Sequence, residues 1–229
     1  TSGLGQAIAE KLENTHRVRL TGTSDIDTSL PFTKSDLDHS PSTDALVQGI
    51  EAIVHVGFAP PGASGTQFID YRTRATYNLL RAAAQQGVRR VVYLSSLEIM
   101  LGYDEQFMIT EDFRPQPPPH PQTLSHHLGE FTCREFARSR DLDVVVLRLG
   151  RLERGVPDSP AAVELPLTNT RDVTAAVATV IGREGGSNPP DFGPWTTIHI
   201  HSEAKSNRFP LTQAERLLDY RPEATGADS

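Results

Sequence analysis

The 229-residue chain has a single cysteine, Cys133, which excludes an intramolecular disulfide and any zinc site built on several thiolates. It has no apolar run near the roughly 18 residues that a membrane span needs. Its N-terminus also lacks the basic-then-apolar pattern of a signal peptide, so the sequence reads as soluble and cytoplasmic. Positive charge is short as well, with 22 Lys and Arg against 29 Asp and Glu and a formal charge of −7. That balance argues against a nucleic-acid footprint and points to a small molecule or a protein as partner. No internal repeat is present, and the only biased tract is "EDFRPQPPPHPQ", whose five prolines confine it to an ordered surface loop.

What the chain does contain is an alternation of helical and strand-like patterns. "TSGLGQAIAEKL" is a glycine turn leading into a helix, with Leu4, Ile8 and Leu12 on one stripe. "HRVRLT" reads as a short strand, followed by a polar stretch with Asp25 and Asp27. A helix capped by Ser42 or Thr43 then leads, after Gly49, to the apolar run Ala52 to Phe58, which suits a buried parallel strand. Thr66 to Gln86 reads as one long helix closed by Gly87, with Phe68, Leu79, Leu80 and Ala83 inward. "RRVVYLSS" and "LDVVVLRLG" are further buried strands, separated by a helix from about Gln122 to Arg140. "TRDVTAAVATVIGRE" is a helix, the Gly/Pro-rich segment Gly185 to Pro194 a loop, "TTIHIH" a strand, and "LTQAERLLDY" a short helix. The order predicts an α/β fold: a doubly wound parallel sheet with right-handed crossovers. Residues 1–150 form a dinucleotide-binding core, and 151–229 form the rest of the same domain and a small substrate-side region. A turn such as Gly3-Leu4-Gly5 normally follows a central strand, and nothing precedes Thr1, so the expectation is that the chain begins inside a longer protein.

Gly3 and Gly5 would let the backbone approach a pyrophosphate at the start of a helix, or serve only as a tight turn. Further along, "SDLD", "AIVHVGFA", "RATYNLLRAAAQQGVRRVVYLSS", "VVVLRLGRL" and "TRDVTAAV" accumulate. Together they resemble the short-chain dehydrogenase/reductase superfamily, chiefly its extended NAD-dependent epimerase/dehydratase branch, over about residues 1–180. The resemblance implies a Rossmann-type fold and an NAD or NADP cofactor held by Gly3, Leu4, Gly5, Asp36, Leu37, Val56, Gly57, Phe58 and Ala59. Asp25 is a candidate for the adenosine ribose, which would slightly favour NAD, although turn chemistry explains it equally well.

The family's chemistry uses a tyrosine acid/base, a lysine four residues later, and a Ser or Thr after the fourth strand. Counted back from Glu130, the tyrosine and lysine positions are assigned to Thr123 and His127, and counted back from Gly102 the hydroxyl position is assigned to Leu97, so all three differ; a one-residue shift brings Ser96 back as the hydroxyl. The catalytic candidates are therefore Ser96, Thr123 and His127, with His127 also a candidate for the cofactor ribose. His126 reads as its exposed neighbour. Metal binding by the two histidines is disfavoured, because adjacent helical residues diverge by about 100°. A threonine hydroxyl is too weakly acidic to replace a tyrosine, and a neutral imidazole supplies less field than an ammonium. Ser95, Tyr103, His120 and Ser125 are substitutes near in sequence, although Tyr103 reads rather as a loop anchor. His199 and His201 share a strand face and read as a satisfied or solvent-facing pair, and Trp195 as packing on the substrate-side loop.

The expectation is an NAD(P)-binding protein without the Tyr-x-x-x-Lys machinery, serving as a ligand sensor or scaffold. The alternative is an active oxidoreductase or epimerase on a sugar or sugar nucleotide, with unconventional residues. A fold-only interaction protein is a third reading, and the resemblance allows a homodimer through the two long helices.

Overall fold

The β-branched runs become the centre of the molecule. A computed structural model describes residues 3–57, 62–153, 164–182, 192–203 and 208–222. Strands β3 (Ala52–His55), β4 (Arg90–Ser96), β5 (Asp143–Leu149) and β8 (Trp195–Ile200) form one sheet in the order β3-β4-β5-β8, with every pair parallel. Every residue of β4 is buried, which is why its middle, Val91 to Leu94, is continuously apolar rather than alternating.

Period-two geometry divides these strands between two cores. Val92, Leu94, Val145 and Leu147 face a cluster that takes in Leu4 and Ile8 of α1 (Gly3–Leu12) and Val173 and Val177 of α6 (Thr170–Ile181). Val91, Tyr93, Val144 and Val146 face the other side, against Leu79 and Ala83 of α4 (Thr76–Gln85) and Cys133 and Ala137 of α5 (Pro121–Arg138). Helices on both faces of a parallel sheet give the doubly wound Rossmann-type architecture expected from the sequence. A third apolar cluster, Leu97, Ile99, Met100, Ile109, Leu165 and Phe209, roofs the carboxyl ends of the strands.

Several local expectations need correction. Strand β1 occupies Leu20–Gly22, and it pairs in parallel with β2 (Phe32–Lys34), a strand that the sequence pattern does not reveal. These two make a separate sheet, and β6 (Arg151–Leu152) pairs with β7 (Leu167–Thr168) in a third. Helix α2 (Pro41–Leu46) is capped by Ser40, not Ser42 or Thr43, because Pro41 with its fixed φ takes the first helical turn. The long helix after Ser64 is interrupted: α3 (Gly65–Asp70) passes through a π turn, Tyr71–Ala75, before α4 begins. Leu79, Leu80 and Ala83 are buried as expected, whereas Phe68 is half-buried. Gly87 follows α4 at φ +73, the left-handed position that ends a helix. Among the described residues no helix is long and apolar enough to cross a membrane.

Candidate functional site

In a doubly wound sheet the ligand crevice lies outside the carboxyl ends of the strands. Here β3 delivers His55, Val56 and Gly57 to that edge, and β4 delivers Ser95 and Ser96. Gly57 sits at φ +67, a conformation that glycine adopts without strain.

The cofactor candidates divide into those that remain available and those that the core consumes. Gly3 opens α1 with clear space around it, whereas the side chain of Leu4 is packed in the core, leaving only its backbone for a ligand. Gly5 is buried within the helix. Asp25 is exposed and pairs with Lys34 at 3.5 Å. Asp36 is exposed beyond β2, but Leu37 is not a free contact. Its side chain is buried, its N–H donates to Ser35 Oγ at 3.1 Å, and its carbonyl accepts from Asn78 Nδ2 at 2.8 Å. Val56 packs against the core. Phe58 and Ala59 lie outside the described residues.

Ser96, a candidate hydroxyl, is the last residue of β4, and its Oγ accepts the Glu98 N–H at 3.1 Å. Leu97 is fully buried in the roof cluster. Thr123 is also buried, and it donates to Glu98 Oε2 at 2.7 Å, which joins the start of α5 to the segment after β4. His127 is half-buried, and His126, expected to be exposed, is buried at 4 %. The reason is helical phase. His126, Glu130, Cys133 and Ala137 form the stripe of α5 packed inward, and His126 stands one turn before Glu130.

That phase also moves the motif assignment. A family ending of the form K-L-x-x-E places the lysine four residues before the glutamate, which on this helix is His126, and the tyrosine four before that, Gln122. This count differs by one residue from the placement at Thr123 and His127, and Thr123 is buried as well. In either placement an amide or an alcohol stands for the phenol and an imidazole for the ammonium.

Around this helix the charges are tightly held. Glu130 accepts Arg148 Nε and Nη2, both at 2.9 Å, in a buried bidentate pair. Glu111 accepts the His199 N–H at 3.1 Å, and burial pushes its carboxyl up from the usual range. His199 and His201 are buried, not solvent-facing; His201 Nε2 donates to the Phe209 carbonyl at 2.7 Å, while both ring nitrogens of His199 lack a partner. Among the described residues no group of three or more His, Cys, Asp or Glu could hold a metal ion. Trp195 begins β8 beside Val144, at the amino end of the sheet, and so lies away from the crevice. Tyr103 donates to the Arg114 carbonyl at 2.8 Å and anchors the loop, as expected. The sequence reading missed Glu98 and Arg72. Arg72 falls on the same stripe as Ala75, Thr76 and Leu79, and that spacing marks it as inward.

Comparison with known proteins follows this geometry. The family described as "NAD dependent epimerase/dehydratase" matches residues 2–153. A uronate dehydrogenase of Pseudomonas syringae pv. tomato is 26% identical over 156 residues, covering 65% of this chain and 55% of that protein. The chain thus spans about half the length of that curated relative. Among solved structures, a uronate dehydrogenase from Agrobacterium tumefaciens superposes with a TM-score of 0.77 at 19% identity, over 97% of this chain and 81% of the other. MoeE5, in complex with UDP-glucuronic acid and NAD, superposes with a TM-score of 0.75 at 18% identity, over 96% and 91%. At these identities the structural likeness shows the fold.

Proposed function

Because the chain belongs to the NAD-dependent epimerase/dehydratase family, we propose that it binds NAD or NADP across the strand ends, together with a sugar or sugar-acid ligand, as a sensor or scaffold. The observation that carries this reading is the phase of α5, where buried His126 stands one turn before buried Glu130 and half-buried Gln122 one turn earlier. A glutamine amide does not titrate in the working range of an enzyme. The buried Thr123 hydroxyl is already committed to Glu98 and is far less acidic than a phenol. Losing a positioned acid/base typically removes about 10² to 10⁴ in rate.

The residues present fit the cofactor at its adenosine half. Gly3 leaves the first amides of α1 open toward a pyrophosphate, Asp36 offers a carboxylate beyond β2, and Gly57 keeps the end of β3 free of a side chain. When bound, the nicotinamide supplies hydride transfer. At that end Ser96 can donate its hydroxyl hydrogen to a ligand oxygen, and His126 lies on the helix face where the family carries its lysine.

A second reading, an active oxidoreductase or epimerase on a sugar acid or sugar nucleotide, is favoured by the relatives, two of which are uronate dehydrogenases. Ser96 would orient the substrate hydroxyl in that case, with the His126 imidazole taking the proton. Calorimetric titration with NAD⁺, NADH, NADP⁺ and NADPH, followed by a D-glucuronate assay read by NADH absorbance, separates the two. Dinucleotide binding without turnover is the expected result. Turnover abolished by His126→Ala would establish the second reading instead, and no dinucleotide binding would sink both.

A further inference from the structure

Arg72 lies in the π turn between α3 and α4 and is 2 % exposed, yet its Nε and Nη1 make no hydrogen bond. Among the described residues its surroundings offer no counter-charge that is not already paired. From β3 comes His55, a neutral imidazole bonded to Thr76 Oγ1 at 2.9 Å. From β4 comes the Tyr93 phenol, whose oxygen also lacks a partner. The nearby carboxylates are already taken, Glu130 by Arg148 and Asp70 by Arg74.

The guanidinium points to the edge of the crevice. A Cβ built on Gly57, just past the end of β3, would meet Arg72 Nη1 at 3.3 Å. A glycine at 57 lets the guanidinium come this close to the backbone at the strand end, and its φ of +67 disfavours any residue with a side chain there. A cation taken out of water without a partner is strongly unfavourable, and the arrangement becomes favourable when an anion arrives with matching oxygens.

We propose that Arg72 is the cation of an oxyanion subsite at the end of β3, which takes a carboxylate or phosphoryl group of the bound ligand. The subsite rests on the reading of this crevice as the ligand site. Two sources share the chemistry: the pyrophosphate of the dinucleotide and the carboxylate of a sugar acid. A planar fork suits either, since both present two oxygens in one plane.

The test is calorimetry on the native chain, Arg72→Met and Arg72→Lys, with inorganic phosphate, NAD⁺ and D-glucuronate as probes. The expected result is a loss of roughly tenfold or more in affinity for phosphate in Arg72→Met, with partial recovery in Arg72→Lys. A parallel loss for NAD⁺ assigns the subsite to the cofactor. A loss for glucuronate with NAD⁺ unchanged assigns it to the sugar acid. Unchanged affinity for all three probes in Arg72→Met overturns the subsite, while NAD⁺ binding by the native chain keeps the proposed function intact. Should Arg72→Met fail to fold, melting of the native chain in phosphate against chloride at matched ionic strength decides the matter. A saturable rise in Tm that Arg72→Lys weakens supports the subsite, and no rise overturns it.

Discussion

A glutamine amide cannot take the hydroxyl proton from a substrate that gives up a hydride, and an imidazole one turn further along is not the fixed cation that a lysine supplies. If those two side chains are all that separates this helix from its catalytic relatives, restoring the family pair in the right phase should restore chemistry. Gln122→Tyr with His126→Lys is expected to raise NAD⁺-dependent oxidation of D-glucuronate by about 10²-fold or more, measured as NADH formation. Thr123→Tyr with His127→Lys should not, because Thr123 is 1 % exposed and bonded to Glu98, so a tyrosine there overpacks the core. Equal rates in the two double variants would refute the phase assignment. Glu130 makes a different point at the same scale. Its two carboxylate oxygens accept Arg148 Nε and Nη2, and Glu130→Gln leaves a guanidinium buried without its counter-charge. The expected cost is about 3 kcal/mol in urea unfolding, and most of it should disappear when Arg148→Met removes the orphaned charge as well.

Among the elements, the contact between α5 and the π turn controls how the crevice is built. Gly129 is where the helix comes closest: a Cβ there would lie 1.9 Å from Tyr93 Oη, 2.8 Å from Cζ and 3.2 Å from the Arg72 carbonyl. Gly129→Ala should therefore destabilise by about 1 to 3 kcal/mol. Adding Tyr93→Phe should recover part of that loss, since it removes the nearest atom and leaves the other two; thermal melting of the single and double variants checks both. The same element shows how far a sequence can be read. Strands β4 and β5 are legible because each centres on a valine-rich run of four apolar residues, which has few alternatives, and α5 is legible from its length and its proline start. Strand β2 is not, since "FTK" is short, half polar and made a strand only by its partner β1. The π turn has no marker in "YRTRA". The burial of His126 was missed for a related reason: the face of α5 that turns inward is fixed by Glu130 meeting Arg148 from β5, a pairing across 18 residues of sequence. The site was thus legible in its residue types and its place at the strand ends, but not in its phase.

For the molecule as a whole, the buried histidines set the response to acid. Burial, with a smaller push from the Arg72 cation, lowers His55 from 6.5 to about 4. Burial also lowers His199, helped by Arg148, and His201. The unfolded chain binds protons at these sites over a range where the folded chain does not. Stability is therefore fully present above the unfolded value near 6.5 and is lost as pH falls toward about 4, with His55 alone contributing on the order of 3 kcal/mol. Glu111 works in the opposite direction. Its raised carboxyl gains a proton more readily when folded, so its contribution grows as pH falls and offsets part of the loss. Three histidines against one carboxylate leave a net decline. Urea midpoints measured across the window from 6.5 to about 4 should fall steadily, and His55→Asn should flatten the slope while lowering stability at neutral pH through loss of the bond to Thr76. The slope also bears on the crevice. His55 and Arg72 face each other at the end of β3, so an anion seated on Arg72 removes the cation's share of the push on His55. Saturating phosphate should then make the acid decline shallower in the native chain and leave it unchanged in Arg72→Met. An equal effect of phosphate in both would mean that the anion acts elsewhere on the surface, not at the guanidinium beside His55.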